Sequence, residues 1–218
     1  MIINKISLHF FLYLLTGYLF SNESNEDFLV KLNNSFPAEI FFSQKDSNNI
    51  ENKGWMIVGR KGLVRVEFEP PNHLVMVSDG KWFIIHDAQY DRTSYLPLGK
   101  GILGALLYPE KLNSKNKITI NKYIKDENIY YSILSEKYEG SELRVHFKKL
   151  DNSLKGWEIF ENGKKNIRVE ILSIKKLKNI LELDSNMFKF KENMRASLNG
   201  FLGPYERTIK KIPSGKFN

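Results

Sequence analysis

GWMIVGRKGLVRVEFEPPNHLVMVSDG, residues Gly54–Gly80, decides the fold. Two short strands, Trp55–Val58 and Leu63–Phe68, flank a turn at Arg60-Lys61-Gly62. A Pro70-Pro71 break follows, then a strand Leu74–Val77 and a Ser78-Asp79-Gly80 turn. Val64, Val66 and Phe68 alternate with Arg65, Glu67 and Glu69, the period-2 pattern of a half-buried strand.

The same reading extends in both directions. Upstream, Ser24–Asn34 forms a short helix: Ser24 caps it, Glu26 and Asp27 suit its first turn, and Phe28, Leu29 and Leu32 share a face. Phe36–Gln44 is a strand broken early by Pro37, and Ser47–Lys53 is a polar hairpin loop. Downstream, Lys81–Ile85 is a strand followed by the polar run Asp87–Ser94. In Gly99–Pro109, Ile102, Leu103, Leu106 and Leu107 recur at i, i+1, i+4 and i+5, which predicts four large apolar residues on one helical face. Gly101 and Gly104 weaken that helix by about 1 kcal/mol each, and Pro109 ends it. Further strands are expected near Ile118–Ile124, Ile129–Ser135, Leu143–Phe147, Gly156–Phe160 and Ile167–Ile174, with hairpin turns at Asn152-Ser153 and Asn162-Gly163. Many strands at regular spacing with two or three helices predict a mainly β domain, either a barrel or a sandwich.

The first residues read differently. Lys5 precedes an apolar run, Ile6–Phe20, whose fifteen residues would span about 22 Å as a helix, short of a bilayer core of about 30 Å. Residues 1–21 are therefore expected to be a secretory signal peptide, with an uncleaved anchor as the alternative. The chain has no cysteine, so neither a disulfide framework nor a lipidation cysteine is available.

Net charge is +8, and +7 without Lys5. From Lys189 to the end, seven Lys and Arg stand against Glu192 and Glu206, so +5 lies in that stretch and residues 191–218 form a basic extension. A basic surface can meet nucleic acid, anionic membrane or acidic partners. The aromatic residues fall mostly at strand positions and not among the basic segments, which argues against a base-stacking platform and against nucleic acid as partner. Catalytic signatures are sparse. His9, His73, His86 and His146 are dispersed without metal spacing, and Gly99, Gly101 and Gly104 lack the Lys-Ser/Thr of a P-loop. No enzyme is expected.

Val58, Arg60, Leu63–Phe68, Pro71 and Val77–Gly80 resemble, in spacing and without a gap, the LolA family of periplasmic lipoprotein carriers. Lys61 stands where that family usually has proline. Ser35, Phe36, Ala38, Phe42 and Gln44 resemble an earlier family strand, Asp87, Tyr90 and Ser94 fit a later template from which Ala88 and Arg92 depart, and Phe188 and Phe190 resemble the F-x-F that closes the family's sheet. The resemblance implies an incomplete (unclosed) antiparallel β-barrel over 22–190, with a helical lid covering a hydrophobic cavity. It implies that Val64, Val66, Phe68 and Met76 line an acyl-chain cavity and that Ile102, Leu103, Leu106 and Leu107 form the lid helix. Arg60 becomes a lid latch, for which a planar five-donor fork is suited. The implied partners are lipoprotein acyl chains as cargo, an inner-membrane lipoprotein-releasing ABC transporter, and an outer-membrane acceptor or anionic outer-membrane lipid. No cofactor or metal is implied, and the protein is expected to be a periplasmic monomer. Two alternatives stay open: a periplasmic lipid-sensing regulator of the same fold, and a small-molecule or enzymatic barrel.

Overall fold

The computed structural model describes residues 23–98, 102–108, 118–177 and 185–190. The expected signal peptide and basic extension lie outside these residues, as do Gly99, Gly101 and Pro109. Helix α1 covers residues 23–35. Six strands follow: β1 (Ala38–Asp46), β2 (Glu51–Val58), β3 (Leu63–Phe68), β4 (Leu74–Asp79), β5 (Trp82–Asp87) and β6 (Arg92–Pro97). After the short helix α2 (Gly104–Leu107) come β7 (Ile118–Lys125), β8 (Asn128–Ser135), β9 (Ser141–Lys148), β10 (Leu154–Glu161) and β11 (Lys164–Lys176). All eleven form one antiparallel sheet in the order β6-β5-β4-β3-β2-β1-β11-β10-β9-β8-β7. Its two edges, β6 and β7, do not pair with each other, so the sheet is an unclosed barrel.

The alternation in the opening stretch sets the register. Val66 lies between Met56 of β2 and Met76 of β4, and Val64 pairs with Val58. These residues join Ile40, Phe42, Tyr131, Val145, Phe147 and Val169 in one apolar cluster on the inner face of the sheet. From the other side α1 contributes Phe28 and Leu32, both without solvent exposure, as its helical spacing predicts. Gly54 makes room in this layer: a Cβ there would meet the Phe42 ring at 2.7 Å and the Glu67 carbonyl at 2.6 Å. Phe42 uses the space to meet Phe68 edge-on, with centroids 5.4 Å apart. Turn chemistry also follows the sequence. Asn162 and Gly163 adopt φ of 51° and 74°, the left-handed pair that joins β10 to β11.

The structure corrects the opening stretch in one respect. Arg65 and Glu67, expected on a solvated face, are 3% exposed each. The outer face of β2–β5 is covered by the chain itself: the 3-10 helix Ser185–Phe188 sets Phe188 on Trp55 and Ile57, and Phe190 packs on Val75 and Val77. The charges survive burial by pairing. Arg65 Nε donates to Glu67 Oε1 at 2.6 Å and its Nη1 to the Met187 carbonyl at 3.2 Å. Beside them the Trp55 indole donates to Glu39 at 2.9 Å. Phe188 and Phe190 therefore serve as a cover on the outer face and not as members of a strand.

Two further differences have local causes. The predicted loop 47–53 is shorter, because Asp46 Oδ1 accepts from both Asn48 N and Ile50 N and turns the chain at once, so β2 begins at Glu51. The run Asp87–Ser94 contains a hairpin: Asp87 Oδ1 accepts from Gln89 N, Asp91 adopts φ of 47°, and the chain returns as β6.

Candidate functional site

The topology places the site. Strands β6 and β7 follow each other in the chain yet form opposite edges of the sheet, so the connection between them must cross the open side. Its described part, residues 102–108, packs against the inner cluster. Ile102, Ala105 and Leu106 are buried there, while Leu103 and Leu107 are half-buried on the same cluster.

The regular helix is shorter than the sequence predicts. Only Gly104–Leu107 is α-helical; Ile102 and Leu103 sit in the turn that leads into it, their carbonyls accepting from Ala105 N and Leu106 N at 3.0 Å. Four residues cannot sustain a helix by themselves, and this one holds through its apolar side chains. Beneath it stand Val64, Val66 and Phe68, all buried, and the half-buried Met76. The structure thus brings all eight predicted apolar residues into one cluster.

Arg60 is placed otherwise. It stands exposed at the β2–β3 turn, with no side-chain hydrogen bond or ion pair to a described residue, and contributes its carbonyl to Leu63 N at 3.2 Å. The contact between this turn and the residues around α2 comes from Gly62, where a Cβ would meet Leu98 Cδ2 and the Tyr108 ring (2.6 Å to Cδ2). Lys61, in place of the family's proline, has φ of 56° and Gly62 has φ of 76°. Proline, fixed near −65°, cannot adopt the first of these, so the substitution and the turn geometry agree.

Sequence reasoning missed the fastening of α1. Asp27 accepts from Lys31 Nζ at 2.7 Å, from Lys122 Nζ of β7 at 2.5 Å and from the Tyr131 hydroxyl of β8 at 2.6 Å. Burial alone would raise the Asp27 pKa; the hydrogen bonds from Lys122, Lys31 and Tyr131 outweigh it and hold the carboxyl far below the usual range. Burial, then the bond to Asp27, pushes the Tyr131 hydroxyl well above its ordinary value. An acid in the first turn of a helix gave no sign that partners arrive from strands about a hundred positions on.

Asp27→Ala should therefore lower stability by about 2 kcal/mol at pH 7. Because the folded-state pKa is depressed, this contribution is fully present above the ordinary carboxylate value of about 4 and fades as pH falls below it. Urea melts of wild type and variant should converge in acid, and a gap that stays constant down to pH 2 would refute the assignment.

Among the described residues no group of three or more His, Asp or Glu could hold a metal, and no helix is long and apolar enough to cross a membrane.

No curated protein matches the chain significantly. Solved structures with a similar fold include an uncharacterized conserved protein from Thermus thermophilus, at 10% identity and a TM-score of 0.48, covering 78% of this chain and 95% of that one. MucB matches at 12% identity and a TM-score of 0.44, covering 77% of this chain and 62% of MucB. A LolA superfamily protein from Nitrosomonas europaea matches at 7% identity and a TM-score of 0.39, covering 70% and 89%. The family model described as outer membrane lipoprotein carrier protein LolA matches residues 34–191, which takes in the whole sheet and the segment that crosses its open side. With the unclosed eleven-stranded sheet, that match establishes that this chain belongs to the LolA family.

Proposed function

We propose that the protein is a periplasmic carrier that binds the acyl chains of lipoproteins released from the inner membrane and delivers them to the outer membrane. The observation that supports this reading is the collection of Val64, Val66, Phe68, Met76, Ile102, Leu103, Leu106 and Leu107 in one apolar cluster under a connection that crosses an open barrel. A segment held by side-chain contacts and a four-residue helix belongs to the low-stability end of a fold, from which movable lids are drawn. Enclosure suits the cargo. Each methylene taken from water contributes about 0.8 kcal/mol, so a sixteen-carbon chain contributes roughly 12 kcal/mol gross, more than an exposed patch can hold reversibly against a membrane.

In this reading a signal peptide directs export, an ABC transporter loads the carrier as a monomer, and an acceptor or anionic lipid receives the cargo. Arg60 is the proposed donor that holds the lid in the empty protein. Its proposed acceptors are carbonyls of the β6–β7 connection.

A hydrophobic dye should bind the lipid-free protein with one-to-one stoichiometry and be displaced by a fatty acid or a lipopeptide. Leu103→Asp with Leu107→Asp, both at half-buried positions, should abolish displaceable binding while circular dichroism shows the sheet intact. Binding that survives both charges would make the segment ordinary surface and remove the carrier reading.

A further inference from the structure

Away from the lid, α1 lies against the start of β10 and the end of β11 around a cavity of about 450 Å³. That volume is in the range of pockets that take small organic molecules. Its walls divide by chemistry. Val30, Leu154 and Ile174 supply the apolar part, and Leu154 and Ile174 also belong to the inner cluster or pack on it. Val30 is 57% exposed, although Phe28 and Leu32 of the same helix are fully buried, so it is an apolar side chain the core does not use.

The polar wall carries Lys176, Asn34 and Asn152. The other charged residues of the lining are Lys31 and Asp151. Lys31 Nζ donates to Asp27 at 2.7 Å, and Asp151 Oδ1 accepts from Ser153 N at 2.9 Å. The Lys176 ammonium has no ion pair or hydrogen bond to a described residue, and the same holds for the Asn34 and Asn152 side chains. The lining therefore carries two ammoniums, Lys31 and Lys176, against the single carboxylate of Asp151, together with two amides and three aliphatic side chains.

We propose that this cavity binds a small anionic amphiphile, its carboxylate or phosphate head on Lys176, Asn34 and Asn152 and its alkyl chain on Val30, Leu154 and Ile174. An alkyl chain gains from leaving water along the aliphatic wall, and the head gains charge-assisted hydrogen bonds where two lysines stand against the one carboxylate. Asp151 disfavours dianionic heads and so selects for a singly charged one. The site is separate from the lidded face and does not require the lid to open.

Methyl and amide NMR of the full chain, titrated with octyl phosphate and with octanoate, tests this. Saturable shifts are expected at Val30, Leu154, Ile174 and Asn152, and the two ligands tell which head is preferred. The preferred ligand should bind at least tenfold more tightly than either inorganic phosphate or the neutral octyl glucoside. Lys176→Glu, at an exposed position, should weaken it at least tenfold while leaving other resonances in place. Several results would overturn the proposal: no shift at these residues, equal binding of octyl glucoside or of phosphate alone, or unchanged affinity in Lys176→Glu. Shifts confined to the methyls of Val64, Val66 and Met76 would also overturn it, and would assign the amphiphile to the lidded face.

Discussion

Glu67→Ala should cost about 3–5 kcal/mol of folding stability. Its partner Arg65 lies 2.6 Å away, and both side chains are only 4% exposed beneath the Ser185–Phe190 cover. Removing the acid takes from a buried guanidinium the carboxylate that lies 2.6 Å from its Nε, while its Nη1 keeps the Met187 carbonyl. A guanidinium stays protonated in proteins, so the charge cannot be shed to escape the interior. The pair as a whole is a different matter. Replacing both residues with aliphatics of similar volume, Arg65→Met with Glu67→Leu, should recover most of the loss, since a buried pair stabilises little relative to apolar packing. Equilibrium urea melts of the three proteins measure this. A loss below 1 kcal/mol for Glu67→Ala would mean that water reaches the pair and that the cover is loose.

Gly62→Val should be strongly damaging at the β2–β3 turn that meets Leu98 and Tyr108. Gly62 has φ of 76°, a conformation that a β-branched residue adopts only under strain, at about 1–3 kcal/mol. Its first added carbon would also enter Leu98 and the Tyr108 ring, which flank the lid segment, and forced overpacking costs about 1–3 kcal/mol more. Relief requires the Leu98 and Tyr108 side chains to give way, which loosens the contact between this turn and residues 102–108. Gly62→Val should therefore lose stability and bind a hydrophobic dye faster than wild type, with cleavage by a protease in the β6–β7 connection accelerated. Lys61→Gly is the control: that position is exposed with φ of 56°, so glycine relieves a mild strain and should leave both readouts nearly unchanged. Equal dye kinetics in Gly62→Val and wild type would show that the turn does not bear on the lid.

That these eight apolar residues share one cluster was legible because each sits in a pattern with a period. Val64, Val66 and Phe68 alternate and Ile102–Leu107 clusters at helical spacing, so the sequence predicts which side chains share a face. Strand β3 falls on the predicted residues, Leu63–Phe68. What period cannot tell is what lies across from the second face. Arg65 and Glu67 alternate like solvated residues, and only a segment some 120 positions later in the chain covers them. Asp27 failed for the same reason, its partners Lys122 and Tyr131 being distant in sequence. The function of Gly62 was hidden differently: a glycine in a turn reads as conformational freedom, and its contact with Leu98 and Tyr108 depends on how the lid crosses the sheet.

The strand order has a consequence for how the molecule assembles. Nine of the ten strand pairings join neighbours in sequence; the remaining one, β1 with β11, joins Ala38 to Lys176. The protein is thus two meanders, β1–β6 and β7–β11, stitched along a single seam. Each meander can zip from its hairpins, but the seam closes a loop of well over a hundred residues before it gains any contact, which makes it the natural slow step of folding. The seam is also irregular. Its register slips between Phe41 and Phe42, and such a bulge bends and twists the strands around it. The bend lies opposite the open edges in the strand order, like the spine of a book whose covers are β6 and β7. How wide the covers can part, and so how much room lies between them, is set along that spine as much as by residues 102–108 packed inside.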